Sequence, residues 1–156
     1  MILELDDWKF VVDVDATRAH TTGNASNHCE CGYCKNYYDT VELVYPRIPA
    51  FLAQFGVNIL GPSELMPFEP AYLLACYRVY GEILKWGESE ISVNGISILP
   101  EIAENGTFLL WVGELELPWV QDETVEDVIS PANLPEFMER MREVWLLRHG
   151  GELVYS

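Results

Sequence analysis

The chain reads as an α+β protein: an antiparallel sheet of about five strands, a helical segment after the first strand, and a C-terminal helix packed on the sheet. Three observations carry that reading. Apolar residues alternate with period two near the N-terminus and again through the second half. Two Asn-Gly pairs punctuate that second half. The apolar period lengthens to a helical one over residues 33–55 and again after residue 133. Strands joined by two-residue turns are antiparallel neighbours, and helices grouped before and after them exclude a doubly wound sheet.

Trp8, Phe10, Val12, Val14 and Ala16 alternate with Lys9, Asp13, Asp15 and Thr17, with Val11 alone out of pattern. This predicts a half-buried strand over residues 8–17. The polar, turn-rich run Thr21-Thr22-Gly23-Asn24-Ala25-Ser26-Asn27 then predicts a loop. From Tyr33 the spacing is helical, since Tyr33, Tyr37, Val41 and Val44 share one face. Pro46, which lacks an N–H, interrupts the run. Ile48, Phe51, Leu52 and Phe55 resume it, and Gly56 suits a left-handed helix end.

Gly61-Pro62 and the Pro67 to Pro70 segment read as connectors. Ala71 to Trp86 is apolar and aromatic and reads as one long or two bent strands, with Gly81 at a bulge or a close approach. Asn94-Gly95 and Asn105-Gly106 suit type I′ turns and divide the next stretch into Glu90–Val93, Ile96–Ala103 and Thr107–Leu117. In the last of these, Leu109, Trp111, Leu115 and Leu117 are expected on one side, and Pro118 closes it. Asn133 and Glu136 form a helix-start pair. Leu134, Phe137, Met138, Met141, Val144 and Trp145 give that helix a broad apolar face, and Gly150 or Gly151 ends it. With neither repeat nor linker, residues 1–156 read as a single domain.

At 156 residues the chain can bury roughly 68–70% of its unfolded surface, so its core needs no disulfide or metal staple. Against 9 basic residues it carries 25 acidic ones, for a formal charge of −16. That balance argues against nucleic acid, whose binding rests on Lys and Arg at phosphates, and against anionic membranes. A basic protein partner is the class it leaves open. Glu101, Glu104, Glu114, Glu116, Asp122, Glu123, Glu126 and Asp127 concentrate the acidity, as a solvated face or a docking patch. The N-terminus lacks a signal-peptide pattern, and no apolar run approaches the ~20 residues of a membrane span. Tightly clustered thiols without an export signal point to a reducing, cytoplasmic location.

Chemistry concentrates in His28-Cys29-Glu30-Cys31-Gly32-Tyr33-Cys34-Lys35-Asn36-Tyr37-Tyr38. Zinc takes four tetrahedral N or S ligands, and C-x-x-C spacing lets one turn aim two thiolates at a single ion. Gly32 eases that turn. Cys29 lies on the same side as Cys31 in an extended approach and supplies a third sulfur. The fourth ligand is open among His28, His20, Cys76 and His149. Charge favours a histidine, because three thiolates on Zn²⁺ already leave −1. His28 is nearest but points away from Cys29 in an extended chain, which leaves His20 equally placed. Cys76, within an apolar strand, fits a core position better.

The run Cys29-Glu30-Cys31-Gly32-Tyr33-Cys34-Lys35-Asn36-Tyr37 resembles a set of small bacterial proteins patterned C-x-C-x-x-C-[Arg/Lys]-Asn-[Phe/Tyr]. Phe55-Gly56-Val57-Asn58 and Glu116-Leu117-Pro118-Trp119-Val120-Gln121-Asp122-Glu123 resemble two further islands of the same group. The group has no assigned activity, so the resemblance implies one undivided chain and contributes no function.

Three readings of the thiol corner follow. The first is a non-enzymatic protein with a structural or regulatory zinc site at Cys29, Cys31 and Cys34, completed by His28 or His20. The second is an acidic immunity- or inhibitor-type protein that binds a basic partner, its cysteines merely packed. The third is a thiol redox protein in which a helix N-terminus and Lys35 activate Cys34 and Cys31 resolves. Nucleotide, serine-hydrolase and zincin motifs are missing. Asp13 and Asp15, expected on one strand face, together with Asp122, Glu123, Glu126 and Asp127 after another strand's end, offer oxygens to calcium but lack EF-hand spacing.

Overall fold

The N-terminal alternation ends sooner than its pattern predicts, and Asp13 is the reason. In the computed structural model, which describes residues 1–27, 32–69, 72–118 and 120, β1 (Ile2–Leu5) and β2 (Trp8–Val12) form a hairpin. Its turn is Asp6-Asp7, with Asp6 at φ 52°. Asp13 then caps a helix: its Oδ1 accepts a hydrogen bond from the Ala16 N–H at 3.0 Å. The chain continues as α1 (Val14–Ser26), so the strand expected to Thr17 stops at Val12 and the loop expected over residues 21–27 is mostly helix. Asp13 and Asp15 consequently do not share a strand face; one is the cap and the other lies in the first helical turn.

The helical readings that follow agree with the structure as α2 (Gly32–Val44) and α3 (Ile48–Ala53), with Gly56 at φ 83° just beyond. β3 (Glu64–Glu69) occupies the stretch read as a connector. Its Pro67 falls in a strand that, among the described residues, pairs with β4 alone, and proline is tolerated in such an edge strand. β4 (Tyr72–Lys85) is one long strand, and Gly81 packs against the Val11 carbonyl. β5 (Ile91–Val93), β6 (Ile96–Ile102) and β7 (Thr107–Glu116) follow the expected hairpins. Asn94, Gly95, Asn105 and Gly106 all have positive φ, as type I′ turns require.

Among the described residues the sheet therefore has seven strands in the order β1-β2-β4-β7-β6-β5, with β3 beside the first half of β4, and every pairing is antiparallel. The two strands beyond the expected five are β1, which is too short to show a period, and β3. Their presence leaves the α+β class intact. The C-terminal helix expected over residues 133–149 lies outside the described residues.

One face of the sheet carries the main core. Phe10, Phe55 and Phe108 meet there, with Phe10 5.3 Å from each of the other two ring centres, beneath Tyr37 and Val41 of α2 and Ile48 and Leu52 of α3. Along β7 the inward residues change parity. Leu110 and Val112 face this core, but so do Leu115 and Leu117, because β7 holds one extra residue opposite Leu73–Ala75. Leu109 and Trp111 thus point to the opposite face, not to the side of Leu115 and Leu117 as the alternation suggests. There Met66, Leu74, Cys76 and Trp111 form a second cluster, with Leu99 and Leu109 against it. No described helix is long and apolar enough to cross a membrane.

Candidate functional site

A groove of about 600 Å³ opens between α1, the first turns of α2 and the segment leading into β3, lined by His20, Asn24, Cys34, Tyr38, Ser63 and Glu64 among others. Its back wall, α1, has too few apolar residues to be held by burial. Hydroxyls hold it instead. Thr17 Oγ1 donates to the Asp13 carbonyl at 2.8 Å and accepts from the Tyr80 N–H at 3.0 Å, tying α1 to β4. Thr21 Oγ1 donates to the Thr17 carbonyl at 3.0 Å and accepts from the Asn58 N–H at 2.9 Å, tying it to the chain after α3. Both threonines are fully buried.

Gly61 completes the wall, because a Cβ there would run into the Thr21 carbonyl. The close approach lets Asn24 Nδ2 donate to the Gly61 carbonyl at 3.3 Å. The same amide nitrogen lies 3.4 Å from His20 Nε2. The His20 ring also meets Tyr80 edge-on, with centres 5.5 Å apart. Partial burial, and then the nearby Arg78 guanidinium, hold the His20 pKa below its usual value, so its neutral, ligand-competent form is favoured.

Cys34 is the third residue of α2 and half-buried. Two residues on, Asn36 is buried and grips the chain leaving β7 from both sides. Its Nδ2 donates to the Pro118 carbonyl at 3.0 Å, and its Oδ1 accepts from the Val120 N–H at 2.9 Å. Tyr45, beyond the other end of α2, adds a third hold: its hydroxyl accepts from the Glu116 N–H at 3.0 Å. One turn of helix thus carries both the groove's thiol and the anchor of residues 118–120.

Deeper in the same helix, the Tyr37 and Tyr77 hydroxyls are hydrogen-bonded to each other in the core. Tyr77 donates its proton to the Ile59 carbonyl at 2.5 Å, which leaves Tyr37 as the donor between the two rings. Burial pushes both phenols well above their usual pKa, so they stay neutral and serve to lock α2, β4 and the segment after α3 together.

The structure brings two of the sequence-derived candidates, His20 and Cys34, to one groove. It does not bring Cys76 there: Cys76 is buried in the cluster on the other sheet face. His28, Cys29, Cys31 and His149 lie outside the described residues. Among the described residues, no three His, Cys, Asp or Glu side chains gather in a group that could hold a metal. Sequence reasoning missed Asn24 and assigned Asn36 no role. Asn36 is nonetheless part of the first resemblance island, and the two residues it grips belong to the one that begins at Glu116. Set against family models, characterised proteins and solved structures, the chain matches none of them.

Proposed function

We propose that this corner is a zinc site in a non-enzymatic cytoplasmic protein, with Cys29, Cys31 and Cys34 as three thiolate ligands and His20 as the fourth. The observation that supports it is the shared groove: His20, from a segment the sequence leaves remote, lines the same cavity as Cys34. The donor chemistry fits. A neutral imidazole adds no charge to a centre that three thiolates bring to −1, and the lowered His20 pKa keeps it neutral.

Elemental analysis of untagged protein purified without chelator tests the proposal. About one zinc per chain is expected. Cys34→Ser is expected to abolish binding, and His20→Ala to weaken it by at least the roughly 10–100-fold that loss of an outer-shell partner costs. Metal-free protein that remains folded overturns the reading. The acidic-partner reading keeps one specific support, the exposed Glu114 and Glu116 at the end of β7. It requires association with a basic protein that weakens with salt.

A further inference from the structure

The aromatic core does not stop at the interior. From Phe108 it runs through Phe10 to Trp8 in near-parallel rings, with centres 5.3 and 6.0 Å apart and planes inclined by 19° and 4°. Trp86 continues the row, 5.5 Å from Trp8 with its plane turned by 54°, and is 48% exposed. At this outer end the two indoles, Ile91 and Ile98 line a cleft of about 410 Å³. Glu88 and Glu90, both exposed, line it too.

The walls are held in place from within the chain. Residues 86–90 connect β4 to β5, and three hydrogen bonds seat them on the β1–β2 hairpin. Asp7 Oδ2 accepts from the Glu88 N–H at 2.6 Å and from the Ser89 N–H at 3.1 Å, and the Trp8 Nε1–H donates to the Ser89 carbonyl at 2.7 Å. Gly87 permits this approach, because a Cβ there would run into the Trp8 indole and the Asp7 carboxylate. The Trp8 ring and the backbone that carries Glu88 are thus positioned before any ligand arrives.

An indole pair beside carboxylates selects for a cation. The negative π faces attract it, the carboxylates add charge, and the apolar Ile91 and Ile98 accommodate an aliphatic stem. Arginine meets all three conditions: its planar guanidinium stacks on aromatic rings, stays charged and is more weakly hydrated than an ammonium. We propose that the cleft receives an arginine side chain of a basic protein partner. A formal charge of −16 draws in such a protein and repels a second copy of this one. Lys9 and Lys85, cross-strand partners on β2 and β4, do not line the cleft. The proposal rests on the acidic-partner reading and is independent of the zinc one. It places the contact at the far end of β4 from the residues paired near Glu116.

Titration of the full-length protein with Nα-acetyl-arginine amide, followed at constant ionic strength through the indole N–H signals of Trp8 and Trp86, tests this. The citrulline counterpart, a neutral isostere, is the control. Saturable indole shifts are expected with arginine, and roughly tenfold weaker binding with citrulline. Trp86→Ala and, separately, Glu88→Gln/Glu90→Gln are each expected to weaken the arginine affinity by roughly threefold or more. Equal binding of the two probes, or unmoved indoles, overturns the proposal. Tetramethylammonium binding more tightly than the arginine amide also overturns it, by assigning the cleft to a small quaternary cation. The two-probe comparison uses the unaltered protein and so decides even if a variant fails to fold. An oligoarginine peptide separates this proposal from the reading beneath it. Salt-sensitive binding that leaves both indoles unmoved refutes the cleft and keeps the acidic-partner reading, whereas no binding of the peptide refutes both.

Discussion

Helix α1 and the β5–β7 hairpins are held together by different forces, and the difference governs what each can do. The hairpins are apolar on their inner face, with Ile96, Ile98, Phe108, Leu110 and Val112 buried and Asn-Gly turns setting the register. α1 buries two threonines and is fixed by their hydroxyls to β4 and to the segment after α3. Apolar burial is insensitive to small shifts, whereas a hydroxyl relay works at one distance. The groove's polar side chains are thus positioned by a helix that directional bonds hold in place.

Leu110→Ala probes the packed half and is expected to have the largest effect, about 2–5 kcal/mol, because it removes a fully buried side chain from between strands that cannot close the gap. Urea unfolding monitored by tryptophan fluorescence measures it. A shape-preserving change separates the two halves more sharply. Thr21→Val keeps volume but removes the acceptor for the Asn58 N–H, and about 1–3 kcal/mol of destabilisation is expected. If α1 were held by packing, the same substitution would be neutral or stabilising, and that result would erase the distinction drawn here.

The smallest effect is one of pH. His20 has a folded pKa below its ordinary value of 6.5, so between the two values the unfolded chain binds more protons than the native one. Its contribution to stability is complete above the unfolded pKa and is lost as pH falls through the folded one. In chelator, the melting temperature of the unaltered protein is expected to fall more than that of His20→Gln between about pH 7.5 and 5. Parallel curves would show that the groove does not disfavour the charged ring.

The same contrast explains what the sequence discloses. Period two and period 3.6 are signatures of burial, so β4 to β7, α2 and α3 are legible wherever one face is apolar. α1 is not, because Asp13, Thr17 and Thr21 hold it through bonds that leave no apolar stripe, and threonine-rich polar runs read as loops. β7 misleads in a third way. Its alternation is real, but one extra residue flips its faces midway, and a bulge cannot be seen from one strand alone. At the site, Cys34 is legible because thiols at that spacing are rare. His20 is legible only as one of several candidates, since its nearness to Cys34 depends on the helix the sequence conceals.

The grip of Asn36 on Pro118 and Val120 has a temporal consequence. Its partners are 82 and 84 residues away along the chain. At roughly 5–20 residues per second, a ribosome takes about 4–17 s to make that interval. Until then the first turns of α2 lack the contacts that seat them, and closing so long a loop carries an entropic cost that only the assembled sheet between can offset. The thiol corner, among the first segments to be synthesised, is therefore among the last to be finished. A nascent chain shorter than Val120 carries Cys34 on a helix turn whose Asn36 anchor is not yet complete.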